Sequence, residues 1–131
     1  MSQANVEVVR AYFAEQGEDD IRLRGLHPNV EWHIRSDFPD ADAFRGQDGF
    51  RRLSARFDEV FAGQDYQPLE FIEAGAAVVV PLRWTAEGRL SGAGFSEGFE
   101  TWVFTIENGL ITRVVEFATK EEALEAVGLA E

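Results

Sequence analysis

The spacing of apolar residues changes near Gly63, and this change constrains the fold more than any other feature of the sequence. Before Gly63 the strongest pattern is helical, and it covers about residues 48–62. The apolar positions of this pattern are Phe50, Leu53, Phe57, Val60 and Phe61. After Gly63, four runs alternate as strands do: 67–73, 76–87, 95–107 and 110–118. Helices followed by consecutive strands indicate an α+β fold, with the helices against one face of an antiparallel sheet.

Two further helices and a strand are expected before this point. Residues 5–16 form an amphipathic pattern behind Asn5, a residue type that caps helices, and residues 20–26 predict a second helix that stops before Pro28. Residues 30–34 then alternate as a strand, which places Trp32 and His33 on opposite faces. The stretch 35–46 is expected to be a loop with one short extended segment.

The strongest turn signal lies near the end of the chain. Asn108-Gly109 separates two strand-like runs, and both central residues of a type I′ hairpin need a positive φ, which Asn and Gly tolerate. Residues 123–129 then favour a short C-terminal helix with Gly128 near its end. The sequence contains no repeat or linker, so we expect residues 1–131 to form a single domain.

Charge and residue types exclude several classes of function. The formal net charge of −12 repels nucleic-acid phosphates and anionic membrane surfaces. The chain has no cysteine, and His27 and His33 lack the spacing of metal ligands on a helix, so we expect no metal site. It also lacks a glycine-rich nucleotide motif, and we expect no cofactor. With no signal peptide and no membrane-length apolar run, the expected location is the cytoplasm.

The order of elements resembles a known family. LHPNVEWH at 26–33, FRG at 44–46, ENGLITRVVEF at 107–117 and ALEAVGL at 123–129 occur in the order found in SnoaL-like proteins of the nuclear transport factor 2-like superfamily. The resemblance implies a cone: a curved antiparallel sheet with three helices on its concave face and a short C-terminal helix. Because this fold hosts both enzymes and binding modules, it does not identify a reaction.

The resemblance also implies where catalytic residues would lie. Ketosteroid isomerases of the superfamily carry acids at the positions similar to Trp32 and Trp102, so this chain departs from their pattern. SnoaL-like polyketide cyclases carry an acidic base seven residues after the hairpin glycine, which here is Glu116. Their neighbouring strand supplies an imidazole, and the candidates at that place here are Glu100 and Trp102.

Glu116 shares a strand face with Val114, and the resemblance implies that this face points into the cone. A carboxyl group in an apolar cavity loses hydration, which raises its pKa toward neutrality and suits it to proton transfer. The alternative is that Glu116 lies on the outer face or pairs with an arginine. For Glu100, a solvated position at the end of a strand is favoured over the second place in a carboxylate pair.

The expected ligand is a small apolar molecule. Candidate wall residues are apolar or aromatic; they are Trp32, Tyr12, Trp84, Trp102, Val114 and Phe57. The alternative for each tryptophan is a simple core position, and the alternative for Tyr12 is the outside of its helix. The resemblance also implies a homodimer through the outer sheet face, where His33, Arg83 and Arg113 are expected.

Two functions fit these residues. The first is a cofactor-independent isomerase, cyclase or hydratase-type enzyme that uses Glu116, with Glu100, for acid/base chemistry. The second is a non-catalytic ligand-binding or dimerisation module of the same fold.

Overall fold

A computed structural model of the protein describes residues 2–14, 25–35, 43–88 and 95–129. The helices in these ranges are α1 (Ser2–Ala14), α2 (Gly46–Val60) and α3 (Lys120–Ala126). The strands are β1 (Leu26–His33), β2 (Ala43–Arg45), β3 (Phe61–Pro68), β4 (Ile72–Ala74), β5 (Ala77–Gly88), β6 (Phe95–Glu107) and β7 (Leu110–Phe117). Within the same ranges, every helix is too short or too polar to cross a membrane.

The strands form one curved sheet in the order β2-β1-β7-β6-β5-β3, with β4 paired to β5. The strands from β3 to β7 pair antiparallel, as the alternating runs predict. The pairing of β1 with β7 is parallel, which makes the sheet mixed instead of wholly antiparallel. Periodicity reveals that a segment is a strand but does not identify its partner, so the sequence could not show this pairing.

The core lies between the concave face of the sheet and helices α1 and α2. Phe104 of β6 is fully buried at its centre, with its ring 5.8 Å from Tyr12 and 5.6 Å from Phe13 of α1. On the opposite face, α3 packs Ala123 against Val79 and Val103. The α+β cone expected from the sequence is therefore the observed architecture, with α3 covering part of the outer face.

Some boundaries differ from the expected ones. Helix α2 ends at Val60, because Phe61 is already extended and pairs with Gly88 of β5. The predicted strand 67–73 is divided between β3 and β4. Most of the predicted helix 20–26 lies outside the described residues, but its last residue, Leu26, begins β1.

His27, which follows the predicted helix 20–26, therefore lies in a strand and not at the end of a helix. Its Nδ1 accepts a hydrogen bond of 2.9 Å from the backbone N–H of Asn29. This contact gives the ring a local structural role.

The hairpin between β6 and β7 has the predicted type I′ conformation, with φ of 53° at Asn108 and 80° at Gly109. We expect Gly109→Ala to lower the free energy of unfolding by about 1 kcal/mol, because an L-residue is strained at positive φ. A Cβ there would meet no atom of the described chain within 4 Å, so the loss is purely conformational. Urea unfolding checks this result.

Gly25→Ala is the matched control for the hairpin variant. Gly25 has equally open surroundings within the described chain and no positive φ. An equal loss of stability in both variants would contradict the conformational explanation.

Candidate functional site

A cavity of about 490 Å³ opens between α2 and the strands β3, β5, β6 and β7. This volume lies within the range of small-molecule sites. Its apolar wall includes Leu53, Phe57, Phe61, Tyr66, Trp84 and Trp102. Glu100 and Glu116 contribute carboxyl groups to the same wall. A concave apolar site with a few polar groups is suited to orienting a small ligand.

Glu116 lies on the cavity side of β7, directly opposite Trp102 of β6, and is only 6% exposed. The indole N–H of Trp32 donates a hydrogen bond of 2.7 Å to its Oε2, and the backbone N–H of Arg35 also donates to its carboxyl group. Burial, followed by the negative charge of Glu100, raises the pKa of Glu116 to about 8, although the hydrogen bonds and the charge of Arg35 oppose the rise. At neutral pH this carboxyl group is mostly protonated.

Glu100 lies two residues before Trp102 on the same face of β6 and is 7% exposed, so the solvated position favoured from the sequence is wrong. The indole N–H of Trp102 donates to its Oε1 at 2.8 Å, and Arg35 Nη1 donates to its Oε2 at 3.2 Å. The side chain of Arg35 is itself only 20% exposed. The two carboxyl groups therefore differ in their partners, since Glu100 is paired with Arg35 and Glu116 with the indole of Trp32.

Two of the three tryptophans hold the carboxyl groups. The rings of Trp32 and Trp102 meet edge to face at 5.4 Å, and each donates its N–H to a different glutamate. Trp84, also on the cavity wall, differs from them, because its buried N–H has no hydrogen-bond partner in the described part of the chain.

The other candidate wall residues divide into two groups. Phe57 lines the cavity together with Trp84 and Trp102. Tyr12 is placed in the core instead, because its side of α1 packs on Trp32 and Phe104. Val114 is fully buried in the same core cluster, where it has no surface to offer a ligand. Trp32 is also buried there and reaches the site through Glu116.

Sequence reasoning missed Arg35 and Tyr66. Arg35 follows β1 in a stretch predicted as a loop, where no alternation of residues indicates which way its side chain points. Tyr66 lines the cavity with its ring 5.3 Å from that of Trp102, and its hydroxyl donates to Gln64 Oε1 at 3.0 Å. It belongs to β3, which extends six residues before the predicted strand start.

His33 lies on the other face from Trp32, as its alternation predicts, and its Nε2 is 3.0 Å from Glu31 Oε1. Asp37, Asp40 and Asp42, in the stretch predicted to be a loop, lie outside the described residues. Within the described ranges, His, Asp and Glu side chains form no group of three or more that is suited to a metal ion.

Residues 2–114 match the family model of the SnoaL-like domain. The fold is similar to that of TerC co-crystallized with polyporic acid, with 24% identity over 95% of this chain and 97% of that one and a TM-score of 0.77. It is also similar to a protein from Jannaschia sp. CCS1 described as a SnoaL-like polyketide cyclase (21% identity, 99% and 94% covered, TM-score 0.73). A third similar structure is the phenazine biosynthesis-related protein PhzB2 of Pseudomonas aeruginosa (18% identity, 99% and 88% covered, TM-score 0.76).

No protein of curated function matches the chain in sequence. The structural matches named above, all below 25% identity, therefore establish the fold and not the reaction.

Proposed function

The chain belongs to the SnoaL-like domain family, and we propose that it is a cofactor-independent acid/base catalyst that acts on a small apolar molecule through Glu116. The observation that carries the proposal is the position of this carboxyl group, buried on the wall of a ligand-sized cavity with a pKa of about 8. A group that titrates near the working pH can both give and take a proton.

The chemistry requires only proton transfer. The protonated Glu116 donates to a substrate oxygen, or its ionised form removes a proton from a carbon next to a carbonyl group and returns it at another position. Trp32 fixes one carboxyl oxygen through its N–H, which orients the group without supplying a competing charge. Isomerisation, cyclisation and hydration are reactions that such a group promotes.

Glu100 supports this role through its charge. It is bound to Arg35 and Trp102, and its negative charge helps to keep the proton on Glu116. Two acids in one cavity with different partners divide their roles in this way.

A binding module is the alternative function, and the hydrogen bond from Trp32 favours it. A buried carboxyl group that is satisfied by an indole contributes to a stable wall even without catalysis. The co-crystallization of TerC with polyporic acid supports a small-molecule ligand under either function.

Carbon-detected NMR titration of Glu116, assigned with Glu116→Gln, is the first test. We expect a pKa of about 8; a value near that of a model peptide, about 4.3, would end the catalytic assignment. The second measurement is the exchange of the α protons of 2-tetralone for deuterium in D₂O, followed by proton NMR. We expect Glu116→Gln to slow the catalysed exchange by roughly 100-fold.

Glu59→Gln is the matched control, because Glu59 also lines the cavity but is exposed to solvent. Its exchange rate should stay within about twofold of wild type, since an exposed surface change away from the reacting group has little effect. A normal rate in Glu116→Gln, together with tight binding of 2-tetralone, would favour the binding module.

A further inference from the structure

Gly98 of β6 lies directly opposite Trp84 of β5, beneath its indole ring. A Cβ built on Gly98 would lie 2.6 Å from Trp84 Cζ2, 2.7 Å from Cε2 and 2.8 Å from Nε1. Carbon atoms in contact are ordinarily about 3.5–4.0 Å apart. The indole therefore occupies the space that any side chain at position 98 would need.

The clash is on the cavity side of the sheet. Residues two apart in a strand share a face, and Glu100 and Trp102, which follow Gly98 at this spacing, both line the cavity. A methyl group at Gly98 would consequently press the indole away from the sheet and into the cavity volume.

Among the described residues, packing holds Trp84 in place without a hydrogen bond to its indole nitrogen. Its Nε1 has no hydrogen-bond partner in the described ranges, unlike the indole nitrogens of Trp32 and Trp102. We therefore expect this ring to shift when a side chain is added beneath it at position 98.

We propose that Gly98 is a specificity-determining residue, which lets Trp84 lie against bare backbone and so keeps the cavity wide enough for a ligand of several fused rings. Such a ligand fits the aromatic walls formed by Trp84, Trp102 and Phe57, on which flat rings stack. The inference rests on the proposed function in one respect, because it takes this cavity as the ligand site.

Gly98→Ala tests the inference with two probes that differ in width, 1-naphthol and 1-hydroxypyrene, titrated by fluorescence. We expect the variant to bind 1-hydroxypyrene about tenfold more weakly than wild type does. The affinity for 1-naphthol should stay within about twofold of wild type, because the displaced indole narrows the cavity and only the wider probe needs its full width. A crystal structure of the variant should show the indole displaced and the cavity narrowed. Gly98 has no positive φ, so alanine suits its backbone.

The double variant Trp84→Leu/Gly98→Ala is compared with Trp84→Leu alone. Leucine has no ring above position 98, so adding Gly98→Ala to Trp84→Leu should change the affinity for 1-hydroxypyrene by less than about twofold. If Gly98→Ala does not fold, recovery of folding in the double variant would still locate the clash between these two residues.

Three results would overturn the inference. They are equal weakening of both probes in Gly98→Ala, an unmoved indole in its crystal structure, and an equally large loss of 1-hydroxypyrene affinity when Gly98→Ala is added to Trp84→Leu. An ordinary pKa for Glu116 would end the catalytic proposal and leave this one standing. Wild-type protein that binds neither probe would also overturn this inference, whereas the catalytic proposal is decided by the pKa of Glu116 and the exchange of 2-tetralone.

Discussion

We expect Glu116→Gln to be more stable than the wild type at pH 9, even though it replaces a hydrogen-bonded residue of the site. The pKa of Glu116 is about 8 in the folded protein against an ordinary value of 4.5 for a solvated glutamate. Between these values the folded state binds more protons than the unfolded state, so stability falls as the pH rises. The loss is complete above pH 8, and it is absent below pH 4.5.

Glutamine has the shape of the protonated glutamate and cannot ionise, so the variant escapes this loss. The difference between the two pKa values corresponds to roughly 5 kcal/mol, which is the largest gain to expect at pH 9. At pH 4 the two proteins should unfold at nearly the same urea concentration. Urea unfolding at both pH values, and at steps between them, measures the dependence.

Glu107→Gln is the control for this prediction, because Glu107 is an exposed residue at the start of the hairpin. Its stability difference from wild type should be small at every pH. A difference between Glu116→Gln and wild type that is the same at pH 4 and pH 9 would mean that Glu116 does not carry a raised pKa.

The second large effect concerns Arg35, whose removal leaves Glu100 buried without its counter-ion. We expect Arg35→Met to lower the free energy of unfolding by about 3 kcal/mol at pH 7, which is typical of breaking a buried ion pair from one side. Urea unfolding measures the loss. The pKa of Glu116 should rise further in this variant, because the positive charge of Arg35 lowers it.

Two variants separate the charge effect from a loss of packing. Glu100→Gln in the Arg35→Met background should restore most of the stability, because no unpaired charge is then buried. Arg83→Met removes the partner of Glu97 in an ion pair whose two side chains are each more than one third exposed. It should lower the free energy of unfolding by less than about 1 kcal/mol. Failure of the double variant to recover would show that Arg35 acts through packing.

Local signals in the sequence predict much of this structure. The alternation of residues 76–87, 95–107 and 110–118 corresponds to β5, β6 and β7 within a few residues. Asn108-Gly109 predicts the hairpin because the turn type depends only on the two residues in it. The family resemblance, and not the hairpin, places Glu116 on the cavity side of β7. A register shift between Thr105 and Ile106 brings Glu116 opposite Trp102, and the hairpin residues give no sign of this shift.

Contacts between distant residues were harder to predict. Glu100 is buried because Arg35, 65 positions away, provides a counter-ion, and no pattern in the stretch after β1 indicates that direction. Tyr12 is apolar enough for either the core or the cavity wall, and only the angle at which α1 crosses the sheet decides between them. The role of Gly98 could not be predicted for the same reason, because it depends on Trp84, the residue opposite it on the neighbouring strand.

The parallel pairing of β1 with β7 has a consequence for how the protein folds. It joins strands from opposite ends of the chain, and the bond from Trp32 to Glu116 spans 84 positions. Closing so long a loop has a large entropic cost, which slows the step. We therefore expect this pairing to form after the local β5–β6–β7 meander. Until then we expect Glu116 to be in water and so ionised at neutral pH. Docking of β1 must therefore be accompanied by capture of a proton, and the last step of folding should slow as the solution becomes more alkaline.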